Sequence, residues 1–150
     1  MVIKNNTNTT ALTPKSFWVF SVLILIWGTL GAFHFIDFLF MTVDRLIKQG
    51  MTIEQAEHFL GVPKYVTVIF GLGVWSGFIG AVLLALRKAW SYQIFLFSAV
   101  ITLVSFINDY ISGSFTILGP VYQGVMIVTL LVAFLEVWYS KRMKTLGILQ

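Results

Sequence analysis

The chain has 150 residues, of which 58% are hydrophobic and only 11% charged, and its mean hydropathy is +0.89. An average soluble domain carries roughly 25% charged residues, and one of this length could not hide so much apolar surface, so lipid is the expected solvent. There is no cysteine, which excludes disulfides, thiolate metal sites and thiol redox chemistry; the net charge of +4 comes from basic residues flanking apolar segments, which points to anionic lipid and away from nucleic acid.

Residues 1–15 are polar, rich in Asn and Thr, and read as a tail. Thr13 and Pro14 form a helix start, a capping hydroxyl followed by proline at the first helical position. Four apolar segments follow, at 16–41, 65–86, 89–111 and 117–139. Each is near or above the roughly 20 residues that cross a ~30 Å hydrocarbon core. Lipid offers the backbone no hydrogen-bond partner, so each must be helical. The first is too long for a signal-peptide core. The expected fold is therefore all-α, with 16–140 forming one four-helix transmembrane domain and 141–150 a basic tail.

The links differ in kind. Arg87 and Lys88 alone join the second and third segments, and Ser112–Thr116 joins the third and fourth; such short links predict antiparallel neighbours. The first link, 42–64, is long. Within it Thr52 and Gln55 make a capping-box pattern, Ile53, Ala56 and Leu60 share a helical face, and Gly61 and Pro63 close the run. A short amphipathic helix at the membrane surface is expected there.

Lys4, Lys15, Arg87, Lys88, Lys141, Arg142 and Lys144 fall on one side of this topology. Arg45, Lys48 and Lys64 fall on the other, offset by Asp44, Glu54 and Glu57. The positive-inside rule then places both termini in the cytoplasm of a bacterial inner membrane. Trp18, Trp90, Trp138 and Tyr139 would form the cytoplasmic aromatic belt, with Tyr65, Tyr110 and Tyr122 at the outer interface.

Polar residues near the outer boundary are the candidate ligand-binding set: His34, Asp37, Asn108, Asp109 and Gln123. Ionisable groups at membrane depth are functional candidates, although hydration in the headgroup layer would also account for them. Trp27 and Trp75, near the midplane, either fill the core or flank a ligand. His34, His58, Asp37 and Asp109 offer donor atoms for a metal, as do Glu54 and His58 four residues apart, but no tight ligand spacing links them and no metal or cofactor is expected. Ser98, Thr102, Ser105 and Asp109 line one face of the third segment, which suits either a solute path or hydrogen bonds between packed helices. Glu136 is expected to reach towards Lys141 or Arg142.

Gly73, Gly77, Ala81 and Ala85 recur every four residues on the second segment, a stripe that permits close helix packing, either within the chain or against other membrane helices in a homo-oligomer or larger complex. There is no nucleophile elbow, phosphate-binding glycine loop, zinc-protease motif or catalytic carboxylate pair, so no catalytic residues are assigned.

Four stretches carry a resemblance: WGTLG at 27–31, MTIEQAEHF at 51–59 followed by Pro63, VWSGFIG at 74–80, and LLALRKAW at 83–90. Over about residues 16–145 the chain resembles a family of small bacterial membrane proteins with four predicted helices, some of them automatically labelled "sugar transporter". That pattern has Asn where this chain has Gly28, often Asp where it has His34, and commonly Trp where it has Tyr65. Three functions stay open: a non-catalytic accessory subunit or binding partner in a membrane assembly, a small solute transporter with an outward His/Asp pocket, and a membrane enzyme acting on a lipid or isoprenoid.

Overall fold

The computed structural model describes residues 13–150; residues 1–12, with Lys4 and most of the polar tail, lie outside the described residues. Six helices follow in order: α1 (Lys15–Leu39), α2 (Val43–Lys48), α3 (Ile53–Leu60), α4 (Lys64–Ala85), α5 (Ser91–Ile111) and α6 (Ser114–Thr145). Four of them, α1, α4, α5 and α6, are long and apolar enough to cross a membrane. The described residues contain no strand.

The helix starts and stops follow local chemistry. Pro14 is the N-cap of α1 and no side chain caps it, so the Thr13 hydroxyl does not take the expected role; the Pro14 carbonyl accepts from Phe17 N at 2.9 Å. The predicted capping box is present at α3, where Thr52 Oγ1 accepts from Gln55 N and Gln55 Oε1 accepts from Thr52 N. An additional short helix, α2, precedes it, with Thr42 Oγ1 accepting from Arg45 N. On α3, Ala56 is fully buried and Leu60 partly so, whereas Ile53 points outward.

The last helix departs most from expectation. It continues through Lys141–Thr145, since Lys, Arg and Met are good helix formers and need no lipid. Near its start Gly119 takes φ +83°, followed by Pro120, which has no N–H to donate, so the helix bends there. Residues 146–150 are not a free basic tail. They fold back onto the α4–α5 link: Gln150 N donates to Arg87 O (2.7 Å), Ala89 N donates to Gln150 O (2.8 Å), and Arg87 Nε donates to Ile148 O (3.0 Å). Arg87 sits at φ +58°, a conformation costing a non-glycine residue roughly 1–2 kcal/mol, which these bonds offset.

Packing follows the small residues. α4 lies between α1 and α5, and α5 between α4 and α6. A Cβ added at Gly28 of α1 would meet Phe78 Cα at 3.2 Å, and Ala81 is fully buried beside it. On the opposite side of α4, a Cβ at Gly73 would meet Ile101 at 3.3 Å, and one at Gly77 would meet Ser98 Oγ at 3.2 Å. Gly73 and Gly77 therefore face α5 of the same chain, while Ala81 faces α1 and Ala85 is partly buried. α1 meets α6 through the Phe20–Tyr139 ring stack, at 3.9 Å between centroids. Phe17, Ile24, Ala81, Leu84, Phe95, Tyr139, Met143, Ile148 and Leu149 form one buried cluster at that end of the molecule.

Candidate functional site

At the other end, α3 folds over the junction of α5 and α6. Its capping box starts the helix, and three contacts fix its position. Gln55 Nε2 donates to Ile117 O at 3.0 Å, and His58 Nε2 is 2.9 Å from Ser114 Oγ. Phe59 sets its ring edge-on between Phe38 of α1 (5.4 Å) and Tyr122 of α6 (6.3 Å). Aromatic edge contacts of this kind contribute about 0.5–1.5 kcal/mol beyond their buried area.

A chain of hydrogen bonds runs beneath α3. Ser114 Oγ lies 2.8 Å from Ser112 Oγ, and Ser112 Oγ donates to Asp109 O at 3.3 Å. The Asp109 carboxyl group is buried, 7% exposed, and its Oδ2 accepts from Tyr122 OH at 2.9 Å. A buried carboxyl without a partner is costly, so the phenol is its structural requirement. Beside this network opens a cavity of about 250 Å³ lined by Glu57, His58, Gly61, Val62, Pro63, Tyr65, Val66, Asn108, Ser112 and Ser114. It offers one carboxylate, one imidazole, one amide, one phenol and two serine hydroxyls, with no lysine or arginine in its lining. That donor set suits hydrogen bonding to a small polar molecule.

The candidate residues from sequence divide among several places. Asn108 lines this cavity and Asp109 belongs to the adjoining network. Gln123 lines a second, more open depression of about 410 Å³ with Tyr110, Thr116 and Pro120. Asp37 pairs with Arg45 at 2.8 Å, both side chains about half exposed. His34 is exposed on α1 and borders neither cavity. Trp27 and Trp75 are 38% and 39% exposed, on the flanks of their helices, and line neither cavity. Among the described residues no group of three metal-ligating side chains comes together.

The polar face of α5 resolves into separate bonds. Ser98 Oγ donates to Gly73 O of α4 at 2.9 Å, and Thr102 Oγ1 donates to Ser98 O within its own helix. Sequence reasoning missed the roles of Ser112 and Ser114, weighed His58 only as a metal ligand, and expected Tyr122 at the outer interface without its bond to Asp109. The capping box locates α3 along the chain, but its fold-back onto α6 joins residues more than fifty positions apart. Glu136 also departs from expectation: it is 5% exposed, and the sole ion pair among the described residues is Arg45–Asp37. Compared with known protein families, curated proteins and solved structures, the chain finds no match.

Proposed function

We propose that this is a four-span protein of a bacterial inner membrane that binds, and passes on, a small polar solute at the end of the molecule roofed by α3. The four spans make an antiparallel bundle with both termini cytoplasmic, and α2 and α3 lie at the outer membrane surface. The asymmetry of basic residues supports that orientation, with Arg87, Lys88, Lys141, Arg142 and Lys144 at one end. Trp18, Trp90 and Trp138, all about half exposed or more, sit at the same end, as an interfacial belt requires.

The observation that carries the solute reading is the hydrogen-bonded cavity between α3 and the α5–α6 junction. In a chain this apolar, a concentration of imidazole, amide, carboxylate and hydroxyl groups around one opening is the feature most in need of a ligand. His58, Asn108, Ser112 and Ser114 are the binding groups, in place of His34 and Asp37. At about 250 Å³ the space suits a solute of few heavy atoms, below the 300–1,000 Å³ of drug-sized pockets. The accessory-subunit reading has less to stand on, because Gly73 and Gly77, its candidate partner surface, face α5. The resemblance to small four-helix membrane proteins is compatible with either.

The test is a stability screen of the purified protein in detergent against small polyols, amino acids and amines, followed by uptake into proteoliposomes. A solute that raises the melting temperature in the native chain and not in His58→Ala or Asn108→Ala supports the proposal. Stabilisation or uptake untouched by both substitutions removes it. Orientation is checked separately with single cysteines at positions 88 and 144, which must label from the same side.

A further inference from the structure

At the opposite end of the molecule, α6 carries a carboxyl group at a depth where a lone charge is expensive. Glu136 is 5% exposed and lies five residues before Lys141, about 7–8 Å further into the membrane at 1.5 Å per residue. It shares the buried face of α6 with Ala133, Ser140 and Met143. Its side chain makes no ion pair and no hydrogen bond to any described residue; only its backbone carbonyl is engaged, by Ser140 Oγ.

The basic and titratable groups that could reach it are committed elsewhere or lie outside salt-bridge distance. Arg142 stands over the Trp138 ring at 5.6 Å, and Lys144 over the Tyr92 ring at 5.6 Å. Arg87 holds Ile148 O. Lys15 of α1, Lys88 after α4 and Lys141 of α6 are all exposed and form no ion pair with it. On α5, Tyr92 is the one titratable side chain in that half, and the Tyr139 ring is stacked on Phe20. Glu54, Glu57 and His58 of α3 belong to the far end of α6, where His58 meets Ser114.

Two further polar groups in this region also lack protein partners: the buried hydroxyls of Ser21 on α1 and Ser91 on α5. Each lies one helical turn from a member of the shared core cluster, Ser21 from Phe17 and Ser91 from Phe95, as Glu136 does from Tyr139. Three helices thus bring unpartnered polar side chains to one end of the core. Isolated ionised carboxylates are not carried in such surroundings, whereas a neutral carboxylic acid is.

We propose that Glu136 is a proton-binding site: its carboxyl group is held as the neutral acid inside the membrane and exchanges its proton with the side bearing the basic residues. This stands on observations separate from the outer cavity and survives if no solute binds there. A proton that comes and goes at this depth supplies a group on which movement of another solute could depend.

The experiment is carbodiimide labelling in native membranes, read by peptide mass spectrometry. Dicyclohexylcarbodiimide partitions into lipid and reacts with the acid form. The carboxyl O–H adds across one C=N bond, the proton passing to nitrogen, and the acyl group then shifts from oxygen to nitrogen; nothing leaves, so the peptide gains the whole reagent mass. An adduct on Glu136 that declines as pH is raised, persists in Glu136→Asp and is lost in Glu136→Gln is the expected result. A water-soluble carbodiimide should modify exposed Glu54 and Glu57 and leave Glu136 untouched. Absence of the adduct at every pH, labelling that ignores pH, or equal labelling by the water-soluble reagent would each overturn the proposal. The main arm uses the unaltered chain, so misfolding of a variant cannot decide the outcome.

Discussion

Replacing Gly80 with alanine tests whether α4 and α5 are in the close contact described. A Cβ built there lies 2.8, 2.9 and 3.2 Å from three carbons of the Phe95 ring. Distances below 3 Å require movement, and Phe95 has little room: it is 1% exposed and belongs to the main buried cluster. Overpacking of a filled core costs about 1–3 kcal/mol. Alanine returns at most ~1 kcal/mol through its better helix propensity. The net expectation is a loss of about 1–2 kcal/mol, which lowers the folded-to-unfolded ratio roughly 5- to 30-fold. Gly124 is the control, since a Cβ there meets nothing within 4 Å. Reversible unfolding in mixed detergent and SDS micelles measures both. Gly124→Ala should be neutral or slightly stabilising, and Phe95→Leu should recover part of the loss in a Gly80→Ala background, as a coupled pair must. If Gly80→Ala matches the native chain while Gly124→Ala does not exceed it, the α4–α5 packing argument fails.

Four other substitutions probe separate features in the same assay. Tyr122→Phe removes the donor to the buried Asp109 carboxyl group and should cost about 1–3 kcal/mol, whereas Asp37→Asn, which breaks a half-exposed pair with Arg45, should cost less than about 1 kcal/mol. Ser98→Ala loses the interhelical bond to Gly73 O and should cost about 0.6 kcal/mol, the average for such bonds in membranes. Ile148→Ala empties a site that is 3% exposed; a loss of about 2–5 kcal/mol and faster proteolysis after Arg142 would confirm that residues 146–150 belong to the folded unit.

The helices were legible because their cause is local. A run of some twenty apolar residues must hydrogen-bond internally in lipid, whatever surrounds it. The four long apolar helices thus lie within a few residues of their expected ends, apart from α6. Its extra length is encoded by Lys141–Thr145, which a hydropathy criterion stops short of. The capping box at Thr52 and Gln55 was equally readable, because both hydrogen bonds close within three residues. The site was less so. Sequence placed Asn108 and Asp109 near the outer boundary but grouped them with His34 and Asp37 of α1, where the fold pairs Asp37 with Arg45 and leaves His34 exposed.

From the chain alone one obtains four helices long and apolar enough to cross a membrane, the start of α3 and the small-residue stripe of α4, since each depends on neighbours a few positions away. Tertiary structure alone decided what those elements meet. It turned Gly73 and Gly77 towards α5, carried His58 to Ser114, gave Asp109 the Tyr122 phenol, and buried Glu136 beyond the reach of Lys141 and Arg142. The reason is that the four long helices are apolar over most of their surface, with only α5 carrying a polar face. In lipid such a helix has no hydrophobic face to declare which way it turns, so orientation is set by close packing at glycines and by a few polar contacts whose partners lie far apart in sequence.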